Sequence, residues 1–392
     1  MLFANFALNL TIIQGGGMSN GAVFFVIFLK QATCNTYFKE VKIYHLGEMD
    51  MKIVALFPEA VEGQENQLLN TKKALGLKTF LEERGHEFII LADNGEDLDK
   101  HLPDMDVIIS APFYPAYMTR ERIEKAPNLK LAITAGVGSD HVDLAAASEH
   151  NIGVVEVTGS NTVSVAEHAV MDLLILLRNY EEGHRQSVEG EWNLSQVGNH
   201  AHELQHKTIG IFGFGRIGQL VAERLAPFNV TLQHYDPINQ QDHKLSKFVS
   251  FDELVSTSDA ITIHAPLTPE TDNLFDKDVL SRMKKHSYLV NTARGKIVNR
   301  DALVEALASE HLQGYAGDVW YPQPAPADHP WRTMPRNAMT VHYSSGMTLE
   351  AQKRIEDGVK DILERFFNHE PFQDKDIIVA SGRIASKSYT AK

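Results

Sequence analysis

From Met51 onward, short apolar runs alternate with amphipathic stretches. "MKIVALF" (51–57), "EFIILA" (87–92), "DVIIS" (106–110), "LKLAITAG" (129–136) and "GVVEV" (153–157) are apolar almost throughout, which predicts strands covered on both faces. Between them "KKALGLKTFLEERG" (72–85) and "RERIEKA" (120–126) carry the spacing of helices. A longer apolar helix, "SVAEHAVMDLLILLRNY" (164–180), interrupts this rhythm as a crossing between domains.

A second series of strands follows: "TIGIFGFG" (208–215), "VTLQHYD" (230–236), "AITIHAP" (260–266), "SYLVNTA" (287–293), "GYAGDV" (314–319) and "AMTVHY" (338–343). Helices such as "DELVSTS" (252–258) and "RDALVEALAS" (300–309) separate them. Repeated βα units of this kind predict an α/β protein with two doubly wound, Rossmann-like domains and parallel sheets. The last helix, "TLEAQKRIEDGVKDILERFF" (348–367), lies beyond the second series; returned to the first domain, it makes that domain discontinuous.

The first fifty residues contain two apolar runs, "MLFANFALNLTII" and "AVFFVIFL", both shorter than the ~20 residues a bilayer span needs. No arginine occurs there, and the first basic residue is Lys30. Two readings stay open for residues 1–50: an extension upstream of a domain that opens at Met51, or an arm that packs at an interface.

Composition narrows the partners. A formal net charge of -14, with no run of Lys or Arg, disfavours nucleic acid and anionic membranes. Cys34 is the single cysteine, so no internal disulfide exists and no Cys/His cluster has zinc-site spacing. No metal is expected, and a reducing cytoplasm fits.

Gly213, Gly215 and Gly218 form G-F-G-R-I-G between the strand "TIGIF" and the helix "RIGQLVAERLA". The first glycine allows a tight turn, the second lets a pyrophosphate approach the backbone, and the third lets helix and strand pack closely. Asp236, 18 residues past Gly218, ends the next strand. A carboxylate there accepts ribose hydroxyls and repels a 2′-phosphate, and no arginine stands nearby in "PINQQDH". NAD is therefore favoured over NADP, against the alternatives of a plain βα turn and a solvated turn aspartate.

"GFGRIG", "NTARG", "AGDVW" and a late histidine resemble the D-2-hydroxyacid dehydrogenases from Met51 to about residue 380. "SAPFYPAYMT", "TAGVGSDHVDL", "VTGSNTVSVAEH", "GDVWYPQPAPADHPWRTMP" and "VHYSSGMTLEAQ" are, within that superfamily, similar to the NAD-dependent formate dehydrogenases. The resemblance implies a catalytic domain of 51–161 plus 344–392, an NAD-binding domain of 162–343, and a homodimer.

It also implies roles, residue by residue. Arg294, at the carboxyl end of a strand, would hold the formate carboxylate with its planar fork; a structural ion pair is the alternative. Asn161 would donate to the same carboxylate, with helix capping by Asn161 or Thr162 as its rival. Val137, Pro112 and Phe113 would wall the pocket. His342 would be catalytic, with Gln323 where hydroxyacid dehydrogenases carry an acidic partner; an amide orients the ring but cannot stabilise an imidazolium. Formate gives up a hydride and no proton, so no base is required.

Arg216 and Ile217 would lie under the pyrophosphate, Pro266 and Thr292 along the groove. Asp318 would anchor the nicotinamide carboxamide, beside Ser344 and Ser345. "HYSSGMT" is one residue longer than the family's usual loop, which leaves those two serines open. A hydroxyacid dehydrogenase and a non-catalytic NAD-sensing module are the competing functions.

Overall fold

A computed structural model describes residues 9–14, 25–30, 50–63, 66–92 and 96–390. Residues 1–50 form one compact unit and 51–392 another. In the first, strands β1 (Asn9–Gln14) and β2 (Phe25–Lys30) pair antiparallel; Cys34 and most of the expected arm lie outside the described residues.

The second unit carries two seven-stranded sheets. In the first sheet, β3 (Lys52–Leu56), β4 (Glu87–Leu91), β5 (Val107–Ser110), β6 (Leu131–Thr134) and β7 (Gly153–Glu156) run parallel in the order β4-β3-β5-β6-β7. Side-chain alternation sorts this sheet into two cores. Ile53, Ala55, Val107, Ile109, Leu131 and Ile133 face one side, whereas Val54, Leu56, Ile108, Ala132 and Val154 face the other. Both faces need a cover, which is why these strands read as unbroken apolar runs.

The second sheet comprises β8 (Thr208–Phe212), β9 (Thr231–Tyr235), β10 (Lys247–Phe248), β11 (Ala260–Ile263), β12 (Ser287–Asn291), β13 (Leu312–Gly317) and β14 (Asn337–Met339). All pairs are parallel, in the order β10-β9-β8-β11-β12-β13-β14. The winding reverses direction between β8 and β11, the place where such sheets open a crevice at their carboxyl ends.

Two helices tie the sheets together. Thr162–Leu177 buries Ala166, Ala169, Leu173 and Leu177 in the core of the second sheet. Leu349–Phe367 returns to the first sheet, where Ile355, Val359, Ile362, Leu363 and Phe367 cover the Ile53 face. The chain then adds β15 (Ile377–Ala380) and β16 (Arg383–Ile384), an antiparallel edge beside β7 that the alternation of the first series does not announce.

Two expected elements are shorter than their patterns. The stretch 72–85 breaks into a turn at Ala74–Gly76 and a helix at Leu77–Glu82, because Leu75 and Gly76 are left-handed with φ of 54° and 61°. The strand expected over 338–343 stops at Met339, since its partner β13 ends at Gly317; His342 therefore sits on a loop.

Candidate active site

A cavity of about 710 Å³ opens at the carboxyl ends of β8, β9, β11 and β12, within the range of small-molecule sites. Gly213, Gly215, Arg216, Ile217, Asp236, Pro266, Thr292 and Arg294 line it from the second sheet, with Val137, Asn161 and Ser345 opposite.

The three glycines differ in what a side chain would meet. A Cβ on Gly213, where φ is +92°, would fall 2.7 Å from the backbone N of Ala265, and one on Gly218 would fall 2.3 Å from the carbonyl of Gly213. Both are packing positions. Gly215, at the N-cap of helix Arg216–Leu225, has nothing within 4 Å. The open space above it, at a helix N-terminus, suits the pyrophosphate of a dinucleotide.

Asp236 is buried and already engaged. Its Oδ2 accepts from the Phe214 N–H at 2.7 Å, and its Oδ1 from Ile238 and Asn239, both at 2.8 Å. The expected solvated-turn alternative does not describe it; the carboxylate organises the turn and faces the cavity.

Arg294 emerges beyond β12 and reaches across to the first sheet. Its Nε donates to Asp140 Oδ1 at 2.6 Å, Nη1 to the Ala293 carbonyl at 2.7 Å, and Nη2 to the Val137 carbonyl at 3.3 Å. Burial works to lower the Arg294 pKa, but Asp140, Tyr389 and Glu156 together outweigh it and hold it above the usual value. Burial likewise works to raise Asp140, and Arg294 more than offsets it. Gly138 makes room: a Cβ there would lie 1.6 Å from Nη2. The ion pair named as an alternative is present, and it fixes the guanidinium by Nε while each Nη keeps a second N–H.

Asn161 holds the N-cap position of Thr162–Leu177, yet its side chain makes no capping bond. Its buried Oδ1 has no partner, and neither do Thr292 Oγ1 and His264 Nδ1 on the same cavity wall. Burial pushes the His264 pKa down to about 3. Orphaned buried polar atoms are rare in folded proteins, and three occur in residues that line this cavity.

His342 stands beyond Ser345, within electrostatic reach of Arg294 and Asp140. With Phe113 and Gln323 it borders a second cavity of about 1010 Å³. Its Nδ1 is 2.8 Å from Gln323 Nε2 and 3.1 Å from Oε1, and its Nε2 is 2.8 Å from Ser345 Oγ. Gln323 Nε2 also donates to the Pro112 carbonyl at 3.2 Å, which fixes that atom as the amide nitrogen. A second N–H donated to Nδ1, the shorter of the two contacts, would place the proton of a neutral ring on Nε2. Burial lowers the His342 pKa, so the ring is neutral at pH 7. Phe113 meets the ring edge-on with centroids 6.2 Å apart. Cis peptide bonds lie at Tyr321–Pro322 and Gln323–Pro324.

Ser345 joins the two cavities, lining the first while bonding the histidine of the second. Asp318 is wholly buried and accepts from the N–H groups of Tyr343 at 3.0 Å and Ser344 at 2.7 Å. Its Oδ1 and Ser344 Oγ have no partner. Among the described residues, no cluster of His, Cys, Asp or Glu is placed to hold a metal ion, and no helix is long and apolar enough to cross a membrane.

Sequence reasoning missed four residues here. Asp140 pairs with an arginine 154 positions away. Glu156 accepts from the Gly138 N–H, and burial raises its pKa. His264 and Tyr389 also line the first cavity, the latter from the C-terminal segment. Only Asp140, inside the glycine-flanked "GVGSD", offered a signal.

A doubly wound sheet with a glycine turn, a strand-end aspartate and an arginine on the cavity wall is the frame of an NAD-linked dehydrogenase. In agreement, residues 170–344 match the family described as D-isomer specific 2-hydroxyacid dehydrogenase, NAD binding domain. Over 346 residues the chain is 48% identical to the mitochondrial formate dehydrogenase of Solanum tuberosum, covering 85% of this chain and 90% of that one. It is 46% identical over 337 residues to the formate dehydrogenase of Pseudomonas sp. (strain 101), covering 84% of each. The crystal structure of NAD-dependent formate dehydrogenase from Staphylococcus aureus in complex with NAD superposes with a TM-score of 0.83 at 99% identity, covering 84% of this chain and 100% of that one. The chain belongs to the formate dehydrogenase family.

Proposed function

We propose that this chain is an NAD-dependent formate dehydrogenase, oxidising formate to carbon dioxide and NAD+ to NADH. The observation that carries the reading is the neutral pair of Gln323 and His342, separated by 2.8 Å. It has no charge with which to drive the proton removal that an alcohol demands. When bound, NAD+ supplies the acceptor for the hydride. Gly215 and the N-terminus of helix Arg216–Leu225 hold the pyrophosphate, with Asp236 beside the adenosine ribose.

The residues facing formate divide the remaining work. Arg294, locked by Asp140, offers its Nη groups to the carboxylate, and Asn161 adds an amide. His342 is a neutral donor that positions substrate through Nε2–H once Ser345 Oγ yields that bond. Pro112, Phe113 and Val137 keep the pocket apolar and desolvate the anion, which loses its charge as carbon dioxide forms. Asp318, with Ser344 and Ser345 beside it, fixes the nicotinamide carboxamide, while Pro266 and Thr292 line the groove.

In this reading residues 51–161 with 344–392 form the substrate domain, and 162–343 the cofactor domain. A homodimer completes it: Val163, Met171, Tyr180, Val188, Trp192 and Leu194 are exposed along one stretch of chain, the kind of apolar surface a second copy covers. The single cysteine supports a cytoplasmic location. Mixing purified protein with formate and NAD+ should produce NADH. Failure to do so, with brisk reduction of a 2-oxo acid instead, refutes the assignment.

A further inference from the structure

Asp172 stands on the inner face of helix Thr162–Leu177, 1% exposed, and no step of the proposed chemistry uses it. Its Oδ2 has no partner. The nearest basic group is His168, one turn earlier, whose Nε2 lies 3.6 Å from Asp172 Oδ1 and is itself without a hydrogen bond. The ring of His168 meets Tyr343 edge-on, with centroids 4.8 Å apart. Tyr343 and Ser344 in turn donate their N–H groups to Asp318.

This cluster contains two buried carboxyl groups, each with an orphaned oxygen, and no cation to match them. The titratable groups facing Asp172 are His168 on its own helix, Asp318 and Tyr315 from β13 and its end, and Tyr343 on the following loop. No lysine or arginine pairs with it among the described residues. Burial, and then the charge of Asp318, push the Asp172 pKa up to about 8. At neutral pH Asp172 thus retains its proton.

The oxidised nicotinamide is a cation and the reduced ring is neutral. On the reading that Asp318 and Ser344 face the nicotinamide carboxamide, the missing positive charge arrives with the oxidised cofactor. We propose that Asp172 is a charge-linked specificity residue: its carboxyl gives up a proton when NAD+ binds, takes it back when NADH forms, and thereby favours the oxidised cofactor as pH rises. Proton and charge balance, because the cationic ring replaces the proton that leaves.

Isothermal titration with NAD+, NADH and ADP-ribose, from about pH 6.5 to about pH 9.5 in two buffers of different ionisation enthalpy, tests this without turnover. NAD+ should bind up to about tenfold more tightly across that range for each unit by which it lowers the Asp172 pKa, with proton release greatest between the free value of about 8 and the lower value in the complex. NADH and ADP-ribose, which lack the cationic ring, should show flat profiles. Asp172→Asn should flatten the NAD+ profile, and Asp172→Leu should do the same. A pH-independent NAD+ affinity in the unaltered protein, or an unchanged profile in a folded Asn variant, overturns the proposal alone. If none of the three nucleotides binds, the cofactor reading falls and takes the proposal with it.

Discussion

Gln323→Glu puts a carboxyl where an amide now touches His342 Nδ1 at 2.8 Å. An opposite charge at such a distance raises a histidine pKa by about 1–3 units, equivalent to about 1.4–4 kcal/mol between its two protonation states. Burial at present holds His342 below its ordinary value of 6.5. The new carboxylate therefore moves its titration upward, against the effect of burial. Part of the shift is offset, because the replaced nitrogen would become an oxygen facing the Pro112 carbonyl, now 3.2 Å away. The assay is the pH profile of kcat/KM for formate at saturating NAD+, so that pH-dependent cofactor binding does not enter, run with protiated and deuterated formate to verify that hydride transfer is still being measured. The unaltered enzyme should be level above pH 6.5, since a histidine with a lowered pKa gains its proton only as pH falls below that value. The Glu variant should acquire a limb at neutral to alkaline pH. If its profile overlays that of the parent, the neutral amide is irrelevant to the chemistry and the central argument fails.

Three further outcomes follow from the site. Asp140→Asn keeps an acceptor for Arg294 Nε but removes the balancing charge, so KM for formate should fall several-fold while kcat falls as well, read by steady-state kinetics. Gly215→Ala should leave the melting temperature unchanged yet weaken NAD+ binding at least tenfold, whereas Gly213→Ala, clashing with Ala265 at 2.7 Å, should cost about 1–3 kcal/mol of stability in denaturant unfolding. Asp236→Ser should raise the NADP+/NAD+ ratio of kcat/KM and, by releasing three backbone N–H groups, lower stability by about 1–3 kcal/mol. An unmoved ratio contradicts its assignment to the ribose.

The parallel strands were legible because burial on both faces leaves a continuous apolar signature, seen in β5 and β6, where every residue is buried. The glycine turn was legible because its spacing encodes three separate steric demands, two of which the packing around Gly213 and Gly218 makes explicit. Other features depend on contacts that no local pattern records. Helix 72–85 is cut by a left-handed pair at Leu75 and Gly76, and the run toward His342 loses its ladder when β13 ends. Asn161 had helix capping as a rival role, and the missing capping bond removes that rival. Asp172 reads as a polar residue in an apolar helix until the fold brings it within electrostatic reach of Asp318, 146 positions onward.

Charge balance links these separate residues. Arg294 alone would bind any small carboxylate strongly, and formate held that well has little reason to become an uncharged product. On the proposed reading Asp140, bonded to Nε at 2.6 Å, cancels much of that attraction while leaving the Nη groups to aim the substrate. His342 adds no second positive charge, because burial keeps it neutral and Gln323 supplies none. The grip on the anion is thus directional rather than strongly ionic. Such a site can orient formate without stabilising the negative charge that must leave it. A hydroxyacid dehydrogenase has the opposite requirement, since its histidine must carry a proton away and needs a carboxylate to bear that charge. The same arginine and histidine therefore serve either reaction, and the ionisable group beside the histidine decides between them.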